Sequence, residues 1–128
     1  MSGDGLTYDT GALVAAERDD RLMWSLHRAA LVRGVTPIVP AGALGEGWRG
    51  GPQHRSSRML KGCDVEPLTE VQARAVGVLA AQSGLSDTVD LAVVEGALRR
   101  NDAVITSNHK DIQLAADSVR RRLVIHSV

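Results

Sequence analysis

The chain has 128 residues, of which 44% are hydrophobic and only 2% aromatic, and it contains no Phe. A domain of this length removes about two-thirds of its unfolded surface from water, and here the core must consist of Ala, Val, Leu and Ile. Fifteen basic and fifteen acidic residues give a formal net charge of zero. This balance excludes nucleic-acid binding through the charge of the whole molecule, so such a partner would require a local basic patch.

The sequence carries no sign of export or of membrane insertion. Residues 1–5 have neither the basic region nor the apolar run of a signal peptide, and no stretch approaches the ~20 apolar residues of a membrane span. Cys63 is the only cysteine, which excludes an intramolecular disulfide and a cysteine-rich zinc site. We expect a cytoplasmic protein without membrane association, with a disordered N-terminus over residues 1–5 and one domain over residues 6–128.

Strand-like and helix-like patterns alternate along the chain. The strand-like runs lie at residues 6–9, 36–40, 64–68, 103–107 and 122–126. Helical patterns lie at residues 10–18, 20–33, 53–62, 69–83, 86–100 and 109–119, and a Gly-rich helix or turn follows Pro40 through Gly50. Pro67 marks the third run as an edge strand, and Ser86 is the expected cap of the helix over 86–100. The alternation predicts one α/β domain with a largely parallel sheet.

Four acidic residues and one amide follow the predicted strands or open the next helices. They are Asp9, Glu46, Asp87, Asp90 and Asn108. Because an open parallel sheet binds ligands at the carboxyl ends of its strands, we expect these side chains to converge there. Several carboxylates in one hollow repel each other unless a cation neutralises them, and a hard divalent metal prefers such oxygen ligands. The pattern therefore indicates a metal site suited to phosphate chemistry.

Asp87 and Asp90 are three residues apart on a predicted helix, so they share one face. Asp87 can be explained as a first-turn acid favoured by the helix dipole. That explanation fits Asp90 less well, because the residues that follow are mostly apolar and a carboxylate there needs a partner. Asp90 is therefore predicted to be a metal ligand.

The remaining polar residues each have a structural alternative. Asp9 can be a helix N-cap, and Asn108 can cap the last helix, with Asp111 as a first-turn acid. Glu46 lies between two glycines, where a lone glutamate is usually just exposed. The functional interpretation rests on the set, because its members are spread over four separate elements.

The chain resembles PIN domains, in particular the bacterial VapC-type toxins. The resemblance covers residues 6 to 126 and rests on four passages in order: Tyr8-Asp9-Thr10-Gly11-Ala12-Leu13, Val39-Pro40 leading to Glu46, Ser86-Asp87-Thr88-Val89-Asp90, and Ile105-Thr106-Ser107-Asn108 with Asp111. It implies a PIN-like three-layer sandwich, with a mostly parallel central sheet of about five strands and helices on both faces. It also implies an Mg²⁺- or Mn²⁺-dependent endoribonuclease, often a homodimer, that acts as the toxin of a type II pair silenced by a small antitoxin.

Carried over by position, Asp9, Glu46 and Asp90 match the three core acids of the family. Asn108 falls where many members have a fourth acid, and Asp87 is expected to compensate for the missing charge. The resemblance thus implies that Asp9, Glu46, Asp87 and Asp90 hold one or two metal ions and carry catalysis. The expected supporting residues, which position water or substrate, are Thr10, Thr106, Asn108 and Asp111.

A basic segment follows the second strand. Residues 47–63 contain no acid and hold Arg49, Arg55, Arg58 and Lys61, which are predicted to grip the RNA backbone. An ordinary solvated helix face explains the same residues equally well.

Two other functions are open from the sequence. A PIN-like domain that has lost catalysis would act as an RNA- or protein-binding module, although such a module would not need four acids. A dinucleotide-binding module is suggested by Gly45-Glu46-Gly47-Trp48-Arg49-Gly50, which fits the pattern G-x-G-x-x-G, with Glu66 as the ribose acid. Residues Pro40 to Leu44 separate this match from the strand that should precede it, which makes a chance match the better explanation.

Overall fold

A computed structural model describes residues 5–128 of the chain. The strands of the described part are β1 (Leu6–Tyr8), β2 (Ile38–Pro40), β3 (Asp64–Glu66), β4 (Ala103–Thr106) and β5 (Ile125–Ser127). The helices are α1 (Thr10–Glu17), α2 (Arg21–Val32), α3 (Ala41–Gly47), α4 (His54–Leu60), α5 (Glu70–Ser83), α6 (Thr88–Arg100) and α7 (His109–Ser118). The fold is therefore α/β, as the alternating pattern predicts.

The five strands form one parallel sheet in the order β3-β2-β1-β4-β5. The central strand β1 pairs on both edges, with Thr7 opposite Ile38 on one side and Val104 on the other. The third strand in the chain, β3, is an edge strand, as Pro67 beyond its end predicted. The chain order reverses across β1, so the carboxyl ends of β1 and β4 flank a crevice of the kind in which such sheets bind ligands.

Helices cover both faces of the sheet, which gives the predicted three layers. Helices α2, α3 and α4 pack around α1 on one face, and α5, α6 and α7 pack on one another on the other face. Alternation along β4 supplies both cores: Ala103 and Ile105 point into the first, and Val104 points into the second. Ala, Val, Leu and Ile supply most of both cores, but the expectation that they form the whole core is wrong, because Tyr8, Met23 and Met59 are also fully buried in the first core.

Three predicted details are wrong. The cap of α6 is Asp87 and not Ser86, because the Asp87 Oδ1 atom accepts hydrogen bonds from the Val89 and Asp90 amides at 3.0 and 3.1 Å. The last strand begins at Ile125 and not at Arg122, because its pairing with β4 sets Ile125 opposite Val104. The first strand also ends one residue early, at Tyr8, so that α1 begins directly after Asp9.

The C-terminal end of α6 is held by a network of ion pairs. Arg99 and Arg100 contact the Glu66 carboxylate at 3.0 and 2.9 Å, and the Arg100 guanidinium also contacts Asp102 at 2.9 Å. Thr7, buried in β1, accepts from Arg100 and donates to Asp102, both at 2.9 Å. These bonds join the end of α6 to strands β1 and β3 and to the start of β4.

The predicted disorder of residues 1–5 falls largely on residues 1–4, which lie outside the described residues. The Gly5 carbonyl accepts a hydrogen bond from the Ala103 amide at 2.9 Å. Within residues 5–128, no helix has the length and apolar character needed to cross a bilayer.

Candidate active site

A hollow of about 540 Å³ opens at the carboxyl ends of β1 and β4. Its lining includes all four of the predicted acids, Asp9, Glu46, Asp87 and Asp90, together with Thr10 and Asn108. These residues come from the end of β1, the last turn of α3, the start of α6 and the loop after β4. The structure thus brings the predicted set together, as convergence at this edge of a parallel sheet requires.

Asp9 forms the floor of the hollow and is only 3% exposed. Its Oδ1 atom accepts from the Thr10 amide, and its Oδ2 atom accepts from the Thr106 hydroxyl, both at 2.7 Å. Burial raises the pKa of Asp9, and the nearby Glu46 and Asp87 carboxylates raise it further, while the two hydrogen bonds oppose the shift. Asp9 is therefore both the N-cap of α1 and a buried acid that faces the hollow. Its capping of the helix does not remove it from the site.

Glu46 reaches the hollow from the exposed last turn of α3. Its Oε1 atom accepts from the Thr10 hydroxyl at 2.7 Å. Thr10 therefore contacts two acids at once, with its amide on Asp9 and its hydroxyl on Glu46. This contact explains how a glutamate flanked by glycines is held at the site.

Asp87 and Asp90 line the hollow from the start of α6. Asp87 uses one carboxylate oxygen as the helix cap. Asp90 is partly buried, and burial together with the Asp9 and Asp87 charges raises its pKa to about 6. A carboxyl group with a pKa this far above its ordinary value is destabilised as an anion, which is the condition that a bound cation relieves.

Asn108 supports the site through its backbone and its side chain. The amide N–H donates to the Thr106 hydroxyl at 2.8 Å, and Nδ2 donates to Asp90 at 3.0 Å and to Asp111 at 3.2 Å. Asn108 precedes α7, but its side chain makes no cap hydrogen bond to that helix. The structural alternative is thus confirmed for the position of Asn108, which is the N-cap residue of α7, but not for its side chain. All four expected supporting residues contact one another or the acids.

The predicted RNA-binding residues lie away from the hollow, and most have other contacts. Arg49 donates to the carbonyls of Gly45 and Trp48, and Arg55 lies 3.8 Å from Asp19. Arg58 lies over the Trp24 ring at 4.9 Å from its centroid. Neither these three arginines nor Lys61 lines the hollow.

Among the described residues, the basic side chain that lines the hollow is Arg18, which was not predicted from the sequence. The signal was available, because Gly11, Val14 and Arg18 recur at three and four residues along one face of α1, and all three face the hollow. Reading the helix forward from Asp9 would have placed Arg18 beside the acids.

The structure does not offer a dinucleotide site at the glycine-rich match. Gly45 and Gly47 lie in the last part of α3, whereas the fingerprint requires a turn between a strand and a helix. The expected ribose acid, Glu66, is held by Arg99 and Arg100. This interpretation is therefore wrong.

The donor set of the hollow suits Mg²⁺ or Mn²⁺, both of which prefer carboxylate oxygens. Within residues 5–128, no three His, Cys, Asp or Glu side chains are close enough together to enclose a metal ion by themselves. Mg²⁺ commonly uses one or two carboxylates and keeps several waters, so it does not need such an enclosure. Asp9 and Asp90, whose pKa values are both raised by burial and by neighbouring acids, are the residues that best fit this ion.

The fold and hollow define an α/β protein of PIN-like fold, with a parallel five-stranded sheet between two helical layers. The chain is similar to a chain in the crystal structure of VapBC2 from Rickettsia felis bound to a DNA fragment from their promoter. The TM-score is 0.66, the match covers 96% of this chain and 98% of that chain, and the sequences are 15% identical. No protein-family model and no curated protein matches the chain.

Proposed function

We propose that the protein is a metal-dependent endoribonuclease that hydrolyses phosphodiester bonds in RNA. The observation that carries this proposal is the convergence of Asp9, Glu46, Asp87 and Asp90 on one hollow at the carboxyl ends of β1 and β4. Carboxylates that line one hollow favour cations as ligands, because a bound cation relieves the burial and mutual repulsion that raise the pKa values of Asp9 and Asp90.

The residues of the chain would act by holding and orienting charge. One or two divalent cations bound there would supply the positive charge that activates a water and neutralises the scissile phosphate. Asp9, held by Thr10 and Thr106, and Asp90, held by Asn108, would bind the cation from two sides of the hollow. Glu46 would bind from the rim, with its carboxylate oriented by the Thr10 hydroxyl. Asp87 would add negative charge beside Asp90, in the place of the family's fourth acid.

The proposal extends to a toxin role, with a small antitoxin as partner, a homodimer as assembly and the cytoplasm as location. Support for it is the likeness in fold to a chain of the VapBC2 crystal structure, which covers nearly the whole length of both chains. Co-expression with a small protein encoded beside the gene tests it. Rescue of growth and loss of cleavage are expected, and failure of every such neighbour to restore growth contradicts the toxin role.

The experiment that tests the nuclease is cleavage of total cellular RNA with Mg²⁺, with Mn²⁺ and with EDTA. The wild type is compared with Asp9→Asn and Asp90→Asn. Asp117→Asn, which removes an exposed acid of α7 outside the hollow, is the matched control. We expect discrete fragments that require metal, loss of roughly a hundredfold or more in rate for the two site variants, and no loss for the control.

The second candidate is the binding-only domain, and the feature that favours it is the uncharged Asn108 at the position of the fourth acid. A folded wild-type protein that binds RNA but releases no fragments with either metal would support this candidate. Full activity of either site variant would instead show that the acids have been assigned to the wrong function.

A further inference from the structure

A second hollow of about 420 Å³ lies beside the first and is lined with arginines. Arg21 and Arg28 come from α2, and Arg58 comes from α4, with Trp24 between them. We call this surface the arginine groove. Asp20 lines both the groove and the acidic hollow, so the two are adjacent.

The arrangement of the groove follows from the helix period. Trp24 lies three residues after Arg21, and Arg28 lies seven residues after it, which puts all three on one face of α2. Seven residues of helix separate Arg21 from Arg28 by about 10 Å along the axis. Arg18, the C-cap of α1, lines the acidic hollow together with Asp20, so the row of cations continues from the groove into that hollow.

Within the described part of the chain, the arginines of the groove form no ion pairs with acidic side chains. Among the described residues, no carboxylate lies within 4.0 Å of the guanidinium of Arg18, Arg21, Arg28 or Arg58. The two acids of the groove are already engaged: Asp19 lies 3.8 Å from Arg55, and Asp20 accepts from the Met23 amide at 2.9 Å. Exposed cations without carboxylate partners, next to the proposed nuclease site, are positioned to bind phosphate.

Trp24 is not available for stacking on a base. Arg58 covers the ring at 4.9 Å, His27 meets it edge-on, and Nε1 donates to the Ala16 carbonyl at 3.0 Å. The groove therefore offers ionic contacts to a backbone and no aromatic platform that reads bases.

We propose that the arginine groove binds the sugar-phosphate backbone of single-stranded RNA as it leaves the acidic hollow, through Arg18, Arg21, Arg28 and Arg58. This inference rests on the proposed nuclease function for its choice of RNA. It places the substrate-binding surface on α2 and at the junction of α2 with α1. Of the residues that the sequence predicted to bind RNA, only Arg58 is part of this surface. Because phosphate contacts carry no sequence information, the groove adds affinity without selecting the target sequence.

The test is RNA binding in EDTA, where metal-dependent cleavage is absent. Fluorescence anisotropy measures the affinity of the full chain for labelled oligo(U) and oligo(A) of equal length across a range of salt concentrations. The variant is Arg21→Gln/Arg28→Gln, and its matched control is Arg33→Gln/Arg122→Gln, which removes two exposed arginines that line neither hollow. Arg21→Lys/Arg28→Lys keeps the charge, and thermal unfolding checks that all variants fold.

We expect the Gln variant to lose about tenfold in affinity for both RNAs, and the salt dependence to become shallower by about 1.4 logarithmic units per decade, for two lost contacts. The control and the Lys variant should stay within about threefold of the wild type. A Gln variant that matches the control in affinity and salt slope overturns the groove, as does a wild type that binds neither RNA.

Cleavage measured in parallel separates this inference from the nuclease itself. If the wild type cleaves RNA while the Gln variant binds like the control, the groove is wrong and the nuclease stands. If the groove variant loses RNA affinity as expected but the wild type cleaves nothing with either metal, the groove stands and the nuclease is wrong.

Discussion

A single amide nitrogen, Asn108 Nδ2, donates to two carboxylates, those of Asp90 at 3.0 Å and Asp111 at 3.2 Å. An acid at this position would have added a third negative charge to the pair. The amide instead bridges the two acids, and its hydrogen bond opposes the rise in the pKa of Asp90. The uncharged residue therefore stabilises the folded, metal-free protein, and it leaves one negative charge fewer to bind a cation.

Asn108→Asp should reverse both effects. In EDTA we expect a loss of about 1 to 2 kcal/mol in the free energy of unfolding, because the bridge becomes a repulsive contact among partly buried carboxylates. With Mn²⁺ we expect about tenfold tighter binding, since each added carboxylate strengthens a hard-cation site. Urea unfolding and calorimetric titration measure the two quantities.

The control for that substitution is Gln82→Glu, which adds the same charge outside the hollow and should change neither quantity by much. Weaker Mn²⁺ binding by Asn108→Asp than by the wild type would mean that residue 108 does not face the cation.

Asp90→Asn should make the metal-free protein more stable at neutral pH. The pKa of Asp90 is raised to about 6 from an ordinary 3.8, so between those values the folded state holds a proton that the unfolded state has released. Stability is therefore lost as the pH rises through this window, and it stays low above pH 6. The Asn variant lacks this loss, and we expect it to gain about 1 to 2 kcal/mol at pH 7, a value reduced for the partial exposure of Asp90.

Urea unfolding in EDTA from pH 4 to 8 measures this difference, with Asp117→Asn as the matched variant, which should follow the wild-type pH profile. If Asp90→Asn and the wild type keep a constant gap across the whole range, the carboxyl group does not titrate as described.

The alternation of the sequence predicted an α/β domain with a largely parallel sheet, because parallel strands joined by helices have few arrangements. The three layers and the number of strands were expected from the resemblance to PIN domains. Three of the acids were predictable for the same reason, since Asp9 follows a strand and Asp87 and Asp90 open a helix at the edge where ligands bind. Glu46 lies instead in the last turn of α3. The cap of α6 was not predictable, because Ser86 and Asp87 are both good N-caps and the choice depends on where α6 begins against the sheet. The arginine groove could not be predicted, because charge along the sequence does not reveal which arginines the fold brings together or which of them lie near an acid, as Arg55 does near Asp19 at 3.8 Å.

Gly11→Ala should destabilise the protein at the edge of the hollow. A Cβ at Gly11 would lie 2.3 Å from the Ser107 hydroxyl and 2.7 Å from the Ser107 backbone nitrogen, so α1 and the loop after β4 would have to separate. We expect a loss of about 1 to 3 kcal/mol, measured by urea unfolding, and weaker Mn²⁺ binding because Asp9 begins the displaced helix.

Gly45→Ala is the matched substitution, because no atom lies within 4 Å of a Cβ there and the residue is inside α3. It should stabilise the protein by about 0.5 to 1 kcal/mol, as alanine does in an exposed helix. Equal effects of the two substitutions would contradict the close contact between Gly11 and Ser107.

Helix α6 carries Asp90 in its first turn and Arg100 at its last residue, a separation of about 15 Å along a rigid rod. The ion pairs of Arg99 and Arg100 with Glu66 hold the end of α6 opposite to the end that carries Asp90. Loss of the Glu66 carboxylate would leave every group of the hollow chemically intact, yet it would release the far end of the helix that carries Asp90. Substitutions at the remote end of this helix are therefore expected to affect the hollow without changing any residue that lines it.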